Sequence, residues 1–253
     1  MAWQTPRTSW SSEDGVTNQD FNRIEGNLQY LYDNKASQAA KVVSYYVAAT
    51  GSDNNSGLTS SDAFATIQKA IDMIPKSLGG AAVSINIGSG TYAGFSIANF
   101  SGGAINLIFG TADVIINSAV NISNCHTVQI TGTGSFQVRN LLKVLNTHSF
   151  ICSPDTTVTR TAGNAVEVVQ SRAAFTTSLT VTASSSGSGV LVDQSSLLFV
   201  ESLLSMPGTG TGLMADRGSV AAYSSHSDRA SVAMATARGG RIYSGAQNNA
   251  PQY

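Results

Sequence analysis

Charged side chains are scarce in this 253-residue chain. Lys, Arg, Asp and Glu make up 11% of the residues, and 14 basic residues nearly balance 15 acidic ones. Such a composition offers no basic surface for nucleic acid or for an anionic membrane. We therefore expect neither nucleic acid nor a membrane among the partners of the chain.

Long apolar runs are also missing. No stretch approaches the ~18 consecutive apolar residues of a membrane-spanning helix. The N-terminal MAWQTPRTSW lacks the apolar core of a signal peptide. The sequence therefore predicts synthesis and folding in a cytoplasm.

What the chain has instead is a repeat. From about residue 83 it returns to a short apolar run at a nearly constant interval. Taking one apolar position per return gives Val83, Ile105, Val128, Phe150, Ala174, Leu198, Val220 and Ile242. Fixed periods of this order are typical of solenoids and propellers.

The runs have the composition of short strands. VSINIG, AINLIFG and TVQITG are rich in β-branched residues, and clusters of Gly, Ser, Asn and Thr separate them. A period of roughly 22 to 24 residues is too short for a propeller blade but fits three strands and three turns. The sequence therefore predicts an all-β fold, a right-handed parallel β-helix of about eight coils over residues 83–253, whose stacked coils share one core.

Cysteine is rare, and its spacing argues against a disulfide. The separation between Cys125 and Cys152 does not match the period of the coils. The two side chains should therefore not face each other on neighbouring coils. We expect two buried free thiols.

An amphipathic segment precedes the repeats. Phe21, Ile24, Leu28 and Leu31 form an a/d seam within residues 18–34, with Asn18 or Asp20 as a plausible N-cap. A polar linker at 35–41 should follow. The seam must bury against something, either its own domain or the partner helices of a short oligomeric bundle or docking element. Residues 1–40 are accordingly predicted to be an attachment arm.

Residues 41–82 are predicted to form a strand, a loop and a covering helix. The helix, at about 62–75, places Phe64, Ile67, Ala70, Ile71 and Ile74 on one face, with Ser61 or Asp62 as its N-cap. It should shield the open end of the first coil. In the GSDNNSG loop at 51–57, Asp53 and Asn55 are expected to form an Asx turn rather than a calcium site.

Two stretches resemble known families. YYVAATGSDNNSGLTSSDAFATIQKAIDMIP at 45–75, leading into INIGSGTYAGFSI at 85–97, resembles the start of the β-helix domains of phage tailspikes and related pectate-lyase-like proteins. WSSEDGVTNQDFNRIEGN at 10–27 is similar to the N-terminal segment of fibre, baseplate and neck-appendage proteins in phages of Gram-positive hosts. The resemblance implies a structural protein of the virion, attached to other virion proteins through residues 1–40 and assembled as a homotrimer.

Tailspikes of this kind include glycan-degrading enzymes, so the carboxylates matter. Asp193 and Asp216, one period apart, could stack on neighbouring coils, as the acid and base of a glycosidase require. Stacking would raise one of the two pKa values. However, both follow a strand, Arg217 is close enough to neutralise them, and no long insertion builds a cleft wall. We therefore predict no enzyme. A glycan depolymerase and a non-catalytic carbohydrate-binding spike remain the alternatives.

The histidines form a second cluster. His126 and His148 are also one period apart, so they should share a column, near Arg172 of the next coil. Two imidazoles can bind a metal ion, but no Cys, Asp or third His completes a ligand set. The Gly-rich turns lack the pattern of a phosphate-binding loop. We predict neither a metal nor a cofactor.

Overall fold

The computed structural model describes residues 4–6, 8–9, 11, 13–40, 44–183, 188–205, 211–226 and 233–244. The chain divides into two compact units, Met1–Val42 and Val43–Tyr253. Among the described residues, the first unit contains one helix, and the second contains the repeats.

The helix of the first unit, α1, spans Asn18–Ala40. Thr17 caps it: the Asp20 N–H donates to Thr17 Oγ1 at 3.3 Å, and the Thr17 N–H donates to Asp20 Oδ2 at 3.0 Å. This reciprocal pair is a capping box. The predicted N-caps, Asn18 and Asp20, are therefore wrong. The predicted linker at 35–41 is wrong as well, because the helix continues through it to Ala40.

The second unit is built from parallel strands in three columns, named here sheets 1, 2 and 3. Sheet 1 contains β1 (Ser44–Val47), β2 (Ala82–Ile87), β5 (Ala104–Gly110), β8 (Thr127–Gly132), β11 (Ser149–Cys152), β14 (Arg172–Phe175), β17 (Leu197–Ser205), β19 (Val220–His226) and β21 (Arg241–Ser244). Sheet 2 contains β3 (Gly90–Tyr92), β6 (Val114–Ile116), β9 (Ser135–Val138), β12 (Asp155–Arg160) and β15 (Leu179–Ala183), and the end of β17 joins it. Sheet 3 contains β4 (Phe95–Ala98), β7 (Val120–Ser123), β10 (Leu142–Leu145), β13 (Val166–Val169), β16 (Ser188–Asp193), β18 (Thr211–Ala215) and β20 (Ala233–Thr236).

The chain visits the three sheets in turn, and strands pair with those one coil earlier and one coil later. This is a β-solenoid, and the prediction of a parallel β-helix is confirmed. Within the described residues, six consecutive coils, from β2 to β18, place strand segments in all three sheets. The predicted total of about eight is reached only by adding the partial coils formed by β19, β20 and β21.

The predicted apolar returns form one ladder across sheet 1. In register it runs Val83, Ile105, Val128, Phe150, Ala173, Leu198, Ala221 and Ile242. Six of the eight predicted positions therefore coincide with the ladder. Ala174 and Val220 are each one residue away from the inward-facing members, Ala173 and Ala221.

Alternate side chains of the strands point inward and stack from coil to coil. Phe109 and Phe136, which are both buried, have ring centroids 5.3 Å apart. Cys125 and Cys152 are buried free thiols, as predicted. Burial raises the pKa of Cys152 to about 12, so this thiol stays protonated at neutral pH.

A short helix, α2 (Ile67–Asp72), precedes the first coil. Its N-cap is Thr66, whose Oγ1 accepts a hydrogen bond from the Lys69 N–H at 3.2 Å. Phe64 lies outside the helix, because its N–H donates to the Tyr46 carbonyl and its carbonyl accepts from the Ala48 N–H, both at 2.9 Å.

The predicted start of this helix at 62, with Ser61 or Asp62 as its cap, is therefore wrong. Residues Ser60–Asp62 form a separate 3₁₀ turn. The predicted apolar face is confirmed, since all five of its members are buried, namely Phe64, Ile67, Ala70, Ile71 and Ile74.

The loop at 51–57 anchors α2. Asp53 Oδ1 accepts hydrogen bonds from the N–H groups of Ala65 and Thr66, at 3.0 and 2.9 Å. Asn55 Nδ2 donates to the Ala63 carbonyl at 2.9 Å. Both side chains thus bond to the segment before the helix, and the predicted local Asx turn is wrong.

Neither described helix combines the length and the apolarity needed to cross a bilayer.

The corner between sheets 3 and 1 consists of residues with a left-handed backbone. Their φ angles lie between 45° and 62°, and the column is Asn99, Asn124, Asn146, Gln170, Gln194, Arg217 and Arg238. Asn tolerates this conformation better than most residues. The Asn124 amide donates to Asn99 Oδ1 at 3.0 Å, and the Asn146 amide donates to Asn124 Oδ1 at 2.9 Å. Side-chain hydrogen bonds thereby link three consecutive coils.

Hydroxyl groups line the inside of the same corner. The Thr147 N–H donates to Ser171 Oγ at 3.0 Å, the Ser171 N–H to Ser196 Oγ at 3.2 Å, and the Ser196 N–H to Ser219 Oγ at 3.1 Å. All four residues are buried. The column satisfies backbone donors that the sharp corner would otherwise leave without partners.

Candidate functional site

The structure places Asp193 and Asp216 on consecutive coils of the corner. Val192 lies opposite Ala215, so the next residues along the chain, Asp193 and Asp216, also lie opposite each other. Both are buried, with exposed fractions of 5% and 3%.

Each aspartate is paired with an arginine of the next coil. Arg217 Nε donates to Asp193 Oδ1 at 2.6 Å, and its Nη2 donates to Oδ2. Arg238 Nε donates to Asp216 Oδ1 at 2.9 Å, and its Nη2 likewise donates to Oδ2. Both contacts are therefore two-point guanidinium–carboxylate pairs, the strongest kind of side-chain hydrogen bonding.

These pairs determine the ionisation of the aspartates. Hydrogen bonds from Arg217 lower the pKa of Asp193, and those from Arg238 lower the pKa of Asp216. The expectation that stacking would raise one of the two pKa values is therefore wrong. A glycosidase needs one protonated acid at its working pH, and this pair holds both groups ionised.

His126 and His148 also occupy one column. Their rings are stacked, with centroids 5.2 Å apart and an interplanar angle of 27°. Both are exposed and line a shallow depression of about 490 Å³. Within the described residues, no group of three His, Cys, Asp or Glu side chains comes together to hold a metal ion.

Arg172 lies close to this column but not in register with His148. Its N–H donates to the Thr147 carbonyl at 3.3 Å. Since Phe150 lies opposite Ala173, Arg172 faces Ser149. One residue separates Gln170 of the corner column from β14, whereas two residues separate Asn146 from β11 on the coil before.

The seam of α1 is exposed. Its four side chains are between 49% and 61% accessible, namely Phe21, Ile24, Leu28 and Leu31. Val16, just before the helix, is equally exposed at 59%. Apolar side chains this regularly spaced on one helix face are typical of a surface that associates with another helix.

Sequence reasoning found Arg217 but missed Arg238. The signal was present, because Arg238 follows Asp216 at a separation of 22, one coil further on. The left-handed corner was also missed. Its signal was the recurrence of Asn or Gln just after the first five strands of sheet 3, at Asn99, Asn124, Asn146, Gln170 and Gln194.

No family model, curated protein or solved structure matches the chain. A relation to phage appendages is therefore a hypothesis that rests on the resemblances at residues 10–27, 45–75 and 85–97.

Proposed function

We propose that the chain is a structural appendage of a bacteriophage virion, a fibre or spike of the tail, baseplate, neck or head. The observation that carries the proposal is the exposed apolar seam of α1, which belongs to a unit distinct from the solenoid. A seam of this kind needs a partner helix. In this proposal the first unit joins copies of the chain and attaches them to other virion proteins.

The solenoid supports the same function. Its coils share one continuous core and are linked at the corner by amides, hydroxyls and ion pairs. Side chains locked in this way suit a rigid rod better than a moving device. As a part of the particle, such a rod would meet the host surface during attachment.

The test is to locate the protein in purified particles of the virus that encodes it. We expect mass spectrometry to find the chain in gradient-purified virions, and antibodies against the solenoid to label one site on them in electron micrographs. A chain found only in the lysate, and absent from intact particles, would contradict the proposal.

A further inference from the structure

A second concave surface lies on the outer face of sheet 2, between two consecutive coils. It has a volume of about 510 Å³, within the usual range of ligand sites. The residues that matter here belong to β9, β12 and the turns after them, namely Gln137, Arg139, Asn140, Thr157, Thr159 and Arg160. We call this surface the arginine groove.

A long turn forms one side of the arginine groove. Val138 lies opposite Val158, and Leu142 lies opposite Val166. Three residues connect Val138 to Leu142, whereas seven connect Val158 to Val166. The four extra residues include Thr161 and Ala162, which line the groove. These extra residues form a wall of the groove, whereas the sequence predicted no long insertion that would build a cleft wall.

The charge of the arginine groove is positive. Among the described residues that line it, Arg139 and Arg160 are the only ionisable ones. The Arg139 guanidinium donates to Asn117 Oδ1 at 3.1 Å, and the Arg160 guanidinium donates to the Asn164 carbonyl. In the ion pairs of the part of the chain that the structure describes, neither arginine takes part. In this they differ from the corner arginines, Arg217 and Arg238.

The two arginines are neighbours in space. Arg139 follows Val138, the register partner of Val158, so it lies level with Thr159 and one residue from Arg160 on the next coil. Coils are separated by about 4.8 Å. Both arginines line the same groove, so an anion bound there is attracted by two positive charges.

We propose that the arginine groove binds an anionic glycan through its carboxylate or phosphate groups. The guanidinium fork matches the paired oxygens of both groups. The Gln137 and Asn140 amides and the Thr157 and Thr159 hydroxyls are suited to the neighbouring sugar hydroxyls. Neutral hydrogen bonds hold both guanidinium groups before a ligand arrives, which reduces the cost of ordering them. The inference deepens the proposed contact with a host surface and rests on it only for the source of the glycan.

The test is isothermal titration calorimetry on the full chain with three oligosaccharides of equal length. Mannuronate oligomers carry carboxylates, phosphorylated mannan oligomers carry phosphates, and maltohexaose is neutral. We expect one or both anionic probes to bind, with an affinity that falls as the salt concentration rises. Maltohexaose should not bind. The probe that binds more tightly identifies the anionic group of the natural glycan.

Substitutions locate the binding. The double variant Arg139→Gln with Arg160→Gln should weaken binding by about tenfold or more, since each charge-assisted contact contributes substantially. Arg139→Gln alone should weaken it less, and because Arg139 is exposed and lies outside the long turn, this variant tests the site without disturbing the fold. Arg172→Gln, which removes an exposed arginine outside the groove, is the matched control and should bind normally.

The proposal is overturned if neither anionic probe binds, if maltohexaose binds equally well, or if the Arg139 and Arg172 variants behave alike. Absence of the chain from virions would contradict the proposed function while leaving the calorimetric result intact. The two proposals therefore fail separately.

Discussion

At the scale of single residues, Asp193 and Asp216 link neighbouring coils. Each carboxylate accepts two hydrogen bonds from an arginine one coil further on, and one from the backbone N–H of the residue that follows it. The aspartates are buried, whereas the side chains of Arg217 and Arg238 are 44% and 65% exposed. Each pair therefore joins an inner corner to a solvated surface.

These pairs predict a loss of stability in acid. The native pKa values of Asp193 and Asp216 are depressed. Their contribution to the free energy of unfolding is therefore fully present above the unfolded-state pKa of about 3.9. It is lost as the pH falls through the lower native pKa values. Thermal unfolding between about pH 7 and pH 2 should show this loss. In the Asp193→Asn, Asp216→Asn variant, the unfolding temperature should fall less steeply over the acid range.

For Asp193→Asn alone we expect a destabilisation of about 1 kcal/mol at neutral pH, a modest figure because the exposed part of Arg217 is screened by water. The matched control is Glu201→Gln, which removes an exposed carboxylate of β17. Equal effects of the two single substitutions would contradict a role for the ion pair.

At the scale of elements, α1 presents an exposed apolar face. The sequence predicted its seam and left open whether the seam packs on its own domain or on other copies. In the structure, Phe21, Ile24, Leu28 and Leu31 are exposed, and their burial between copies of the chain stays a prediction. The resemblance to phage fibres implies three copies.

We predict that the purified chain is a trimer at micromolar concentration and that Leu28→Asp makes it a monomer. Each buried Leu contributes about 1.5–3 kcal/mol, and burying a carboxylate in the seam adds a further cost. Sedimentation equilibrium measures the change. Asn22→Asp, which adds the same charge at an exposed position outside the seam, should leave the trimer intact.

A wild-type chain that sediments as a monomer, while circular dichroism shows α1 folded, would contradict this prediction. The seam would then need a partner other than a second copy of this chain.

The other helix shows where sequence patterns fail. The apolar spacing of Phe64, Ile67 and Ile71 is that of a helix, and all three are buried as predicted. Yet the backbone of Phe64 pairs like a strand with the residues beside Val47, so the helix starts only after Thr66. Side-chain periodicity reports which residues face the core, and it does not report which backbone partner lies nearby.

At the scale of the molecule, the period predicted the solenoid but not its exact register. The two positions that were off by one lie in RAAF and VAAY. In RAAF, adjacent alanines give no sign of which one faces inward; in VAAY, Val220 is larger than its neighbour Ala221, yet Ala221 is the inward one. The larger Phe175 and Tyr223, two residues on, are the buried ones and settle the register. The arginine groove was missed because the four extra residues of its turn are offset by three fewer residues elsewhere in the same coil. The interval from Phe150 to Ala173 is therefore 23 residues, the same as from Ile105 to Val128.

For the assembled protein we predict no glycan-degrading activity. Asp193 and Asp216 are both held ionised, so the pair lacks the protonated acid that hydrolysis of a glycosidic bond requires. Host-surface glycan incubated with purified particles should show no new reducing ends. Degradation by particles that carry the native chain, lost with Asp193→Asn and Asp216→Asn in particles that still assemble, would establish the depolymerase alternative.

The regular stacking of the coils also has a consequence for how such a chain can change in length during evolution. Because Ile105, Val128 and Phe150 are register partners on successive coils, duplication of one such interval in the gene would add a coil that continues the existing columns. The rod would grow by about 4.8 Å for each duplication. An insertion of half a coil would instead carry inward-facing residues to another side, so whole-coil changes are the ones that selection can retain.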